Sequence, residues 1–154
     1  MADDETLATG GPAASRDPGG ELGDLLMRVA RTQRRRWRDV LAPWDLSPHQ
    51  ARALRVVIAH EGVRLSDLAE TLHIAARSAT EVVDGLQARD LVRRVPDPTD
   101  RRAVLVQATE AGRQVQQEVS AARAADSADF FGRLPPGDRA DLARLLRVLG
   151  DPDR

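Results

Sequence analysis

The chain has 154 residues, no cysteine and a formal charge of −1. That length allows one domain with a real core, and the missing cysteines exclude a disulfide, a thiolate zinc site and a thiol redox switch. Near-neutrality excludes a global basic field, and the lack of a long apolar run or a charged-then-apolar leader leads us to expect a cytoplasmic chain with no membrane contact.

Charge is unevenly spread. Residues 1–20 (MADDETLATGGPAASRDPGG) hold four acids, Asp3, Asp4, Glu5 and Asp17, against Arg16. That segment is net −3, which leaves +2 for the remainder. Rich in Gly, Pro and Ala and without periodicity, it reads as a disordered acidic tail. All 23 basic residues are arginine, the better reader of grooves and phosphates.

Glu21–Leu41 reads as a helix, with Leu22, Leu25, Leu26, Val29, Trp37, Val40 and Leu41 at spacings of three and four. Its other faces carry Arg28, Arg31, Arg34, Arg35, Arg36 and Arg38, as a solvated face or an anion-binding one. Pro43 ends it. In Leu46-Ser47-Pro48-His49-Gln50, Ser47 can cap, Pro48 fits the first helical position and Gln50 can reach back to complete a capping box. The second helix runs Gln50–His60, with Ala51, Leu54, Val57 and Ile58 inward, and stops near Gly62. Val63–Leu65 is a short third strand, after which Ser66 is expected to cap the next helix and Asp67 to sit at its positive end.

From Arg64 to Thr109 the pattern is two short helices, a turn at His73, and a hairpin. Ala69 falls where the helices meet, surrounded by Leu68, Leu72, Ile74, Ala79, Val82 and Leu86. The hairpin strands are Leu91–Val95 and Ala103–Ala108, joined by a loop rich in Pro, Asp and Arg. Helix-turn-helix plus hairpin is a winged-helix plan, whose second helix enters a major groove while its wing lies along the backbone or minor groove. Thr109 then caps a long helix, Glu110 to about Phe131, with Val115, Val119, Ala122 and Phe130 on one face. Leu134-Pro135-Pro136-Gly137 breaks it, and a last helix carries Leu142, Leu145, Leu146 and Leu149 as an apolar stripe. The fold class expected is mainly α with a small β-hairpin wing. The first and last helices carry more apolar surface than a small winged helix can bury. A homodimer built from those helices would bury it, and would set two reading helices about one DNA turn (~34 Å) apart. The division expected is a tail at 1–20 and a domain at 21–150. Within that domain, 46–109 would bind DNA, and 21–45 and 110–150 would dimerise.

At these residues the chain resembles the MarR family of bacterial transcriptional regulators, over roughly Leu22 to Leu149. The most specific stretch is Asp100-Arg101-Arg102-Ala103-Val104-Leu105-Val106-Gln107-Ala108-Thr109. It is similar to the family's D-x-R-x-x-x-V-x-L-T pattern with Ala108 for Leu. Thr109-Glu110-Ala111-Gly112-Arg113 and Leu46-Ser47-Pro48-His49-Gln50 are similar to neighbouring family segments. There are two departures: His73 stands where the family commonly has Gly, and Ala75 where it has a capping Ser.

Taking Ala76–Ala88 as the reading helix, Ala79, Val82, Val83 and Leu86 face inward and Arg77, Ser78, Thr80, Glu81 and Asp84 outward. Arg77 suits a guanine edge or a phosphate, Ser78 and Thr80 can bond either, and Glu81 reads a cytosine amine or holds Arg77. On the wing, the resemblance implies that Arg102 enters the minor groove, where a narrow A·T-rich stretch favours a guanidinium. Arg101 lies beside it. Asp100 would orient an arginine, or close the hairpin by pairing with Arg102. Arg93 and Arg94 point to opposite faces, so at most one, taken as Arg94, reaches a phosphate. Six arginines against five acids in this region predict modest non-specific affinity.

The resemblance also implies an effector pocket between the first, second and fifth helices. Trp37, Val40, Leu41, Trp44, His49 and Arg52 are its candidate lining, and a small anionic aromatic would suit the arginine-rich first helix. Most members of the family repress until a ligand binds, so a ligand-responsive repressor on a palindromic double-stranded operator is the function implied. No cofactor or metal is expected, because His49, His60 and His73 lack metal spacing, and no phosphate-cradling loop or nucleophile partner points to an enzyme. The rival reading is a winged helix used for protein interaction without sequence-specific DNA binding.

Overall fold

A computed structural model of the protein describes residues 18–100 and 103–151. The remainder of the expected acidic tail, residues 1–17, lies outside them. The elements in order are α1 (Pro18–Leu41), a 3-10 turn (Ala42–Trp44), α2 (Pro48–Ala59), β1 (Val63–Arg64), α3 (Leu65–Leu72), α4 (Ala76–Gln87), β2 (Val92–Pro96), β3 (Val104–Ala108), α5 (Glu110–Phe131) and α6 (Pro136–Gly150). The chain divides into two units after Arg34. The first contains the opening part of α1, which is already helical at Pro18, three residues ahead of the expected start. Leu22, Leu25, Leu26, Met27 and Val29 are exposed there.

In the second unit α2 is the central element, packing against α3, α4, α5 and β3. Its start follows from its sequence. The Ser47 hydroxyl accepts from the Gln50 N–H at 3.2 Å, and the Gln50 side chain accepts from the Ser47 N–H at 2.9 Å. With Pro48 in the first turn, this is the expected capping box. Because α2 has neighbours on several sides, Ala53 and Val56 are buried along with Ala51, Leu54 and Val57, whereas Ile58 is only partly so.

The α3–α4 turn closes at His73, which adopts φ 54° and ψ 47°. Its N–H donates to the Glu70 carbonyl and that of Ile74 to the Ala69 carbonyl. This satisfies the helix end at the cost of a left-handed conformation for a residue with a Cβ. Ser66 does not cap α3. Pairing of β1 with β3 ends at Arg64, so the chain enters the helix at Leu65 with Arg64 as its uncapped flanking residue. Ser66 lies inside the first turn, and its hydroxyl donates to the Asp67 carboxylate at 3.1 Å.

The sheet has strand order β1-β3-β2, both pairings antiparallel. The third strand expected at Val63 is present. In β3, Val106 and Ala108 turn to the core while Val104 is exposed, the period-two pattern of a half-buried strand. The core gathers Leu41, Leu54, Val57, Leu68, Val83, Leu86, Val92 and Val106, all fully buried.

Thr109 joins sheet to α5. Its side chain accepts from the Gly112 N–H at 3.0 Å and donates to the Asp90 carbonyl at 2.6 Å. The first turn of α5 then runs so close to the end of the α4–β2 connection that a Cβ at residue 112 would overlap the Leu91 carbonyl oxygen. That glycine is required by contact with backbone, which cannot move aside as a flexible side chain could. In α6 no described residue is buried, and Leu145, Leu146, Val148 and Leu149 are exposed.

The junction gives a direct test. Gly112→Ala is expected to lower the free energy of unfolding by about 3 kcal/mol, as overpacking against fixed backbone does. Urea unfolding followed by circular dichroism measures it. A loss below about 1 kcal/mol would mean that α5 can shift off the Leu91 carbonyl at little cost.

Candidate nucleic-acid interface and ligand cleft

The apolar stripe of α4 decides which of its side chains face out. Ala79, Val83 and Leu86 are buried, at spacings of four and three. Arg77, Ser78 and Glu81 are left on the exposed face. Arg77 is 92% exposed and donates to the Glu81 carboxylate at 3.2 Å, one helical turn on. Thr80 differs from expectation. It is half-buried, and its hydroxyl donates to the Ala76 carbonyl at 3.0 Å, which draws it back toward the helix axis. Ala75 precedes the helix in an extended conformation and offers no side-chain cap. The first-turn N–H groups there are available to a phosphate or a solvent oxygen.

The β2 arginines do separate to two faces. Arg93 donates to the Gln107 side chain across the ladder. Arg94 turns to α4, donating to the Asp84 carboxylate at 2.6 Å and to the Gln87 amide oxygen at 2.5 Å. Its guanidinium is held by two side chains of the reading helix, so it locks the wing stem beside that helix. This is a different task from the phosphate contact expected of it.

At the far end of β2 lies a residue whose role the sequence did not reveal. Asp97 is 6% exposed, the one buried charged residue among those described. It accepts from the Thr99 N–H at 2.8 Å, the Thr99 hydroxyl at 2.7 Å, and Arg64 Nε and Nη2 at 2.8 and 2.6 Å. The two Thr99 hydrogen bonds, with those from Arg64, hold its carboxyl down at about 2, against an ordinary 3.8. The backbone closes around it, the Asp97 N–H donating to the Ala103 carbonyl and the Ala103 N–H to the Asp100 carbonyl. Asp100 also adds to the field that raises the Arg64 pKa, behind the larger effect of Asp97. Arg101 and Arg102, the wing residues expected to meet the groove, lie outside the described residues.

A cleft of 680 Å³ opens between α2, α5 and the end of α1. Trp37, His49 and Arg52 of the expected lining do border it, joined by Arg55 and Arg123. The Arg123 guanidinium lies over the Trp37 ring, 4.7 Å from its centroid, an arrangement that holds both groups in place. None of the lining residues is acidic. Val40, Leu41 and Trp44 do not line it. Leu41 is fully buried in the core, and the Trp44 indole N–H donates instead to Glu118 at 2.9 Å. That bond, with one from Gln114, keeps the Glu118 carboxyl below its usual range.

The MarR family model matches residues 44–103, from the last residue of the 3-10 turn to the residue before β3. A Thauera aromatica protein described as a regulator of the hcr operon is 30% identical over 131 residues, 84% of this chain and 79% of that one. The chain belongs to the MarR family. Like its relatives in that family it is a winged-helix, DNA-binding transcriptional regulator. The transcriptional repressor NicR of Pseudomonas putida is 38% identical over 72 residues, 47% of this MarR-family chain and 46% of its own. A mutant of Escherichia coli MarR, in complex with operator DNA, has the same fold. Its TM-score is 0.70 at 24% identity, covering 84% of this chain and 93% of that one.

The Asp97 pocket makes stability depend on pH with a definite sign. Its folded pKa lies below the unfolded one, so its stabilisation is complete above the ordinary carboxylate range and is lost as pH falls through about 2. Urea midpoints of the wild type and of Asp97→Asn are expected to differ at pH 5 and to converge between pH 4 and 2. Parallel pH profiles would show that Asp97 has an ordinary pKa in the folded chain.

Proposed function

We propose that this regulator binds a palindromic double-stranded operator as a homodimer and represses transcription until a small anionic aromatic effector binds it. The exposed Arg77–Ser78–Glu81 face of α4 carries this reading, with the β2 stem fixed beside it by Arg94. Arg77 is placed for a guanine edge or phosphate, Ser78 for either, and Glu81 for holding Arg77 or accepting from cytosine. Thr80 has only its methyl to offer while its hydroxyl serves Ala76. Residues 46–109 are the DNA-reading part, Arg102 and Arg101 acting from the wing with Asp100 as their orienter.

The end helices supply the second copy's surface. Exposed Leu145, Leu146 and Leu149 on α6 and Leu22, Leu25 and Leu26 on α1 are apolar positions that a partner would cover. A two-fold pair matches an inverted repeat with half-sites ~34 Å apart. The name of NicR supports repression, and the operator complex of the Escherichia coli protein supports duplex DNA as partner. For the effector, a cleft with Arg52, Arg55 and Arg123 around Trp37 and no acid favours an aromatic carboxylate. The site of action proposed is the cytoplasm, where the DNA it would read lies; no helix among the described residues is long and apolar enough to cross a membrane.

Two measurements check this. In mobility shifts on the chain's own promoter region, Arg77→Ala and Arg102→Ala should each cost about 1–3 kcal/mol of specific binding. Indifference of the wild type to DNA sequence would instead favour the protein-interaction reading. Phenolic acids should raise the thermal midpoint of the wild type, by the equivalent of about 2.7 kcal/mol at a hundredfold excess over Kd. Arg123→Ala should remove that shift; an undiminished shift places the effector elsewhere.

A further inference from the structure

Arg64 occupies two elements at once. It is the last residue of β1 and the residue from which α3 starts. In the sheet it pairs with Leu105, which pairs on its other side with Val95. Asp97 lies two residues beyond Val95, so the Arg64 side chain reaches diagonally across β3 to the far strand. There Nε and Nη2 both meet one carboxylate oxygen, while the other oxygen takes the two Thr99 bonds. Asp97 is the first residue of the wing loop after β2, so that loop is tied at its start to the beginning of the helix-turn-helix.

We propose that Arg64 is a positioning residue for DNA binding, which through Asp97 fixes the base of the wing relative to the reading helix. The inference rests on the DNA-reading function argued above. Asp97 is 6% exposed and the Arg64 side chain 41%, so the carboxylate is the partner withdrawn from water. If Arg64 moves, Asp97 Oδ2 loses both its donors while Thr99 holds only Oδ1, and a buried carboxylate oxygen without a donor costs enough to keep the pair in one geometry. Arg94 holds the stem of the wing against α4, and Arg64 holds its base against α3. Arg94 acts from the middle of β2 and Asp97 from just past its end, each toward a different helix, so neither grip replaces the other.

Charge alone and positioning make opposite predictions for Asp97. Removing an acid near a phosphate backbone should tighten binding if only the field matters. If Asp97 is the anchor through which Arg64 acts, its removal should weaken binding. The experiment is fluorescence anisotropy on a labelled duplex of the chain's own promoter region at pH 7.5. Full-length wild type, Asp97→Asn, Arg64→Gln, the double variant and Arg64→Lys are compared, each checked by circular dichroism as fully folded at the assay temperature. Asp97→Asn and Arg64→Gln are each expected to weaken binding about tenfold, and the double variant no further than either alone. Arg64→Lys, which keeps the charge but not the two-nitrogen grip, should fall between Arg64→Gln and wild type. It keeps the test open should Asp97→Asn fail to fold.

Tighter or unchanged binding by Asp97→Asn overturns the proposal, as does additivity in the double variant. So does wild-type affinity in Arg64→Lys, which marks Arg64 as a phosphate contact. A wild-type chain that ignores DNA altogether defeats the underlying function and this inference with it, a result distinct from binding that Asp97→Asn improves.

Discussion

Burial of one narrow stripe on α4 fixes most of what this chain can present to a partner. Ala79, Val83 and Leu86 admit a single rotation of the helix about its axis, and a rotation of one residue would put Asp84, with Thr80 and Gln87, into the core. The cost of burying an unpaired charge, several kcal/mol at least, far exceeds anything gained by repacking a methyl. The rotation is reinforced at Gly85, where any Cβ would meet the Gln50 amide. That amide is already committed to the capping box at the start of α2. The start of one helix and the orientation of another are therefore a single packing unit. Arg89 adds to it from the C-terminal side, donating to the carbonyls of Trp44, the last residue of the 3-10 turn, and of Asp45 just after it.

What was legible in the sequence was whatever depended on neighbours a few residues away. The Ser47 box, the Thr109 cap, the His73 turn and the hairpin are local events, set by a hydroxyl, a ring or a turn-rich loop between two short strands. Helix ends on this basis were right to within a few residues, and the family resemblance rested on the same short segments. Ser66 shows the limit. A serine before an apolar run suggests a cap, but the strand pairing of Val63 and Arg64 moves the helix start past it. Asp97 shows it more sharply. Counted along the chain it is one more acid opposing DNA. Only the diagonal reach of a residue 33 positions away makes it a buried, fully bonded anchor. Likewise Trp37 and Trp44 look alike in sequence, yet one borders the cleft and the other bonds Glu118 of α5, because Trp37 lies in α1 and Trp44 on the 3-10 turn beyond it.

The end of α1 is itself held by charge. Arg36 pairs with Asp126 at 2.7 Å and Asp129 at 2.8 Å, and lies 5.3 Å from the centroid of the Phe130 ring. These bonds raise its already high pKa. With Arg123 on Trp37, they seat residues 35–41 on α5. The cleft therefore has a wall fixed by several contacts of different kinds, and of its lining arginines Arg123 is held over the Trp37 ring in advance of any ligand.

The same economy governs the reading face. Arg77 faces Glu81, Arg94 faces Asp84, and Arg64 faces Asp97. Each cation is thus partly neutralised before any DNA arrives, so the general attraction of the face for phosphate is small, as the near-balance of charge in this region requires. A face of that kind gains little from proximity to arbitrary duplex, since counterion release scales with the phosphates actually neutralised. On the function proposed above it gains most where the duplex offers acceptors to Arg77, the one of the three whose side chain is almost fully exposed. Arg94 and Arg64 are bound to their acids at the wing and lend that face rigidity instead of free charge. Discrimination would then come from how rigidly Arg77 and the wing are aimed more than from how many cations the face carries.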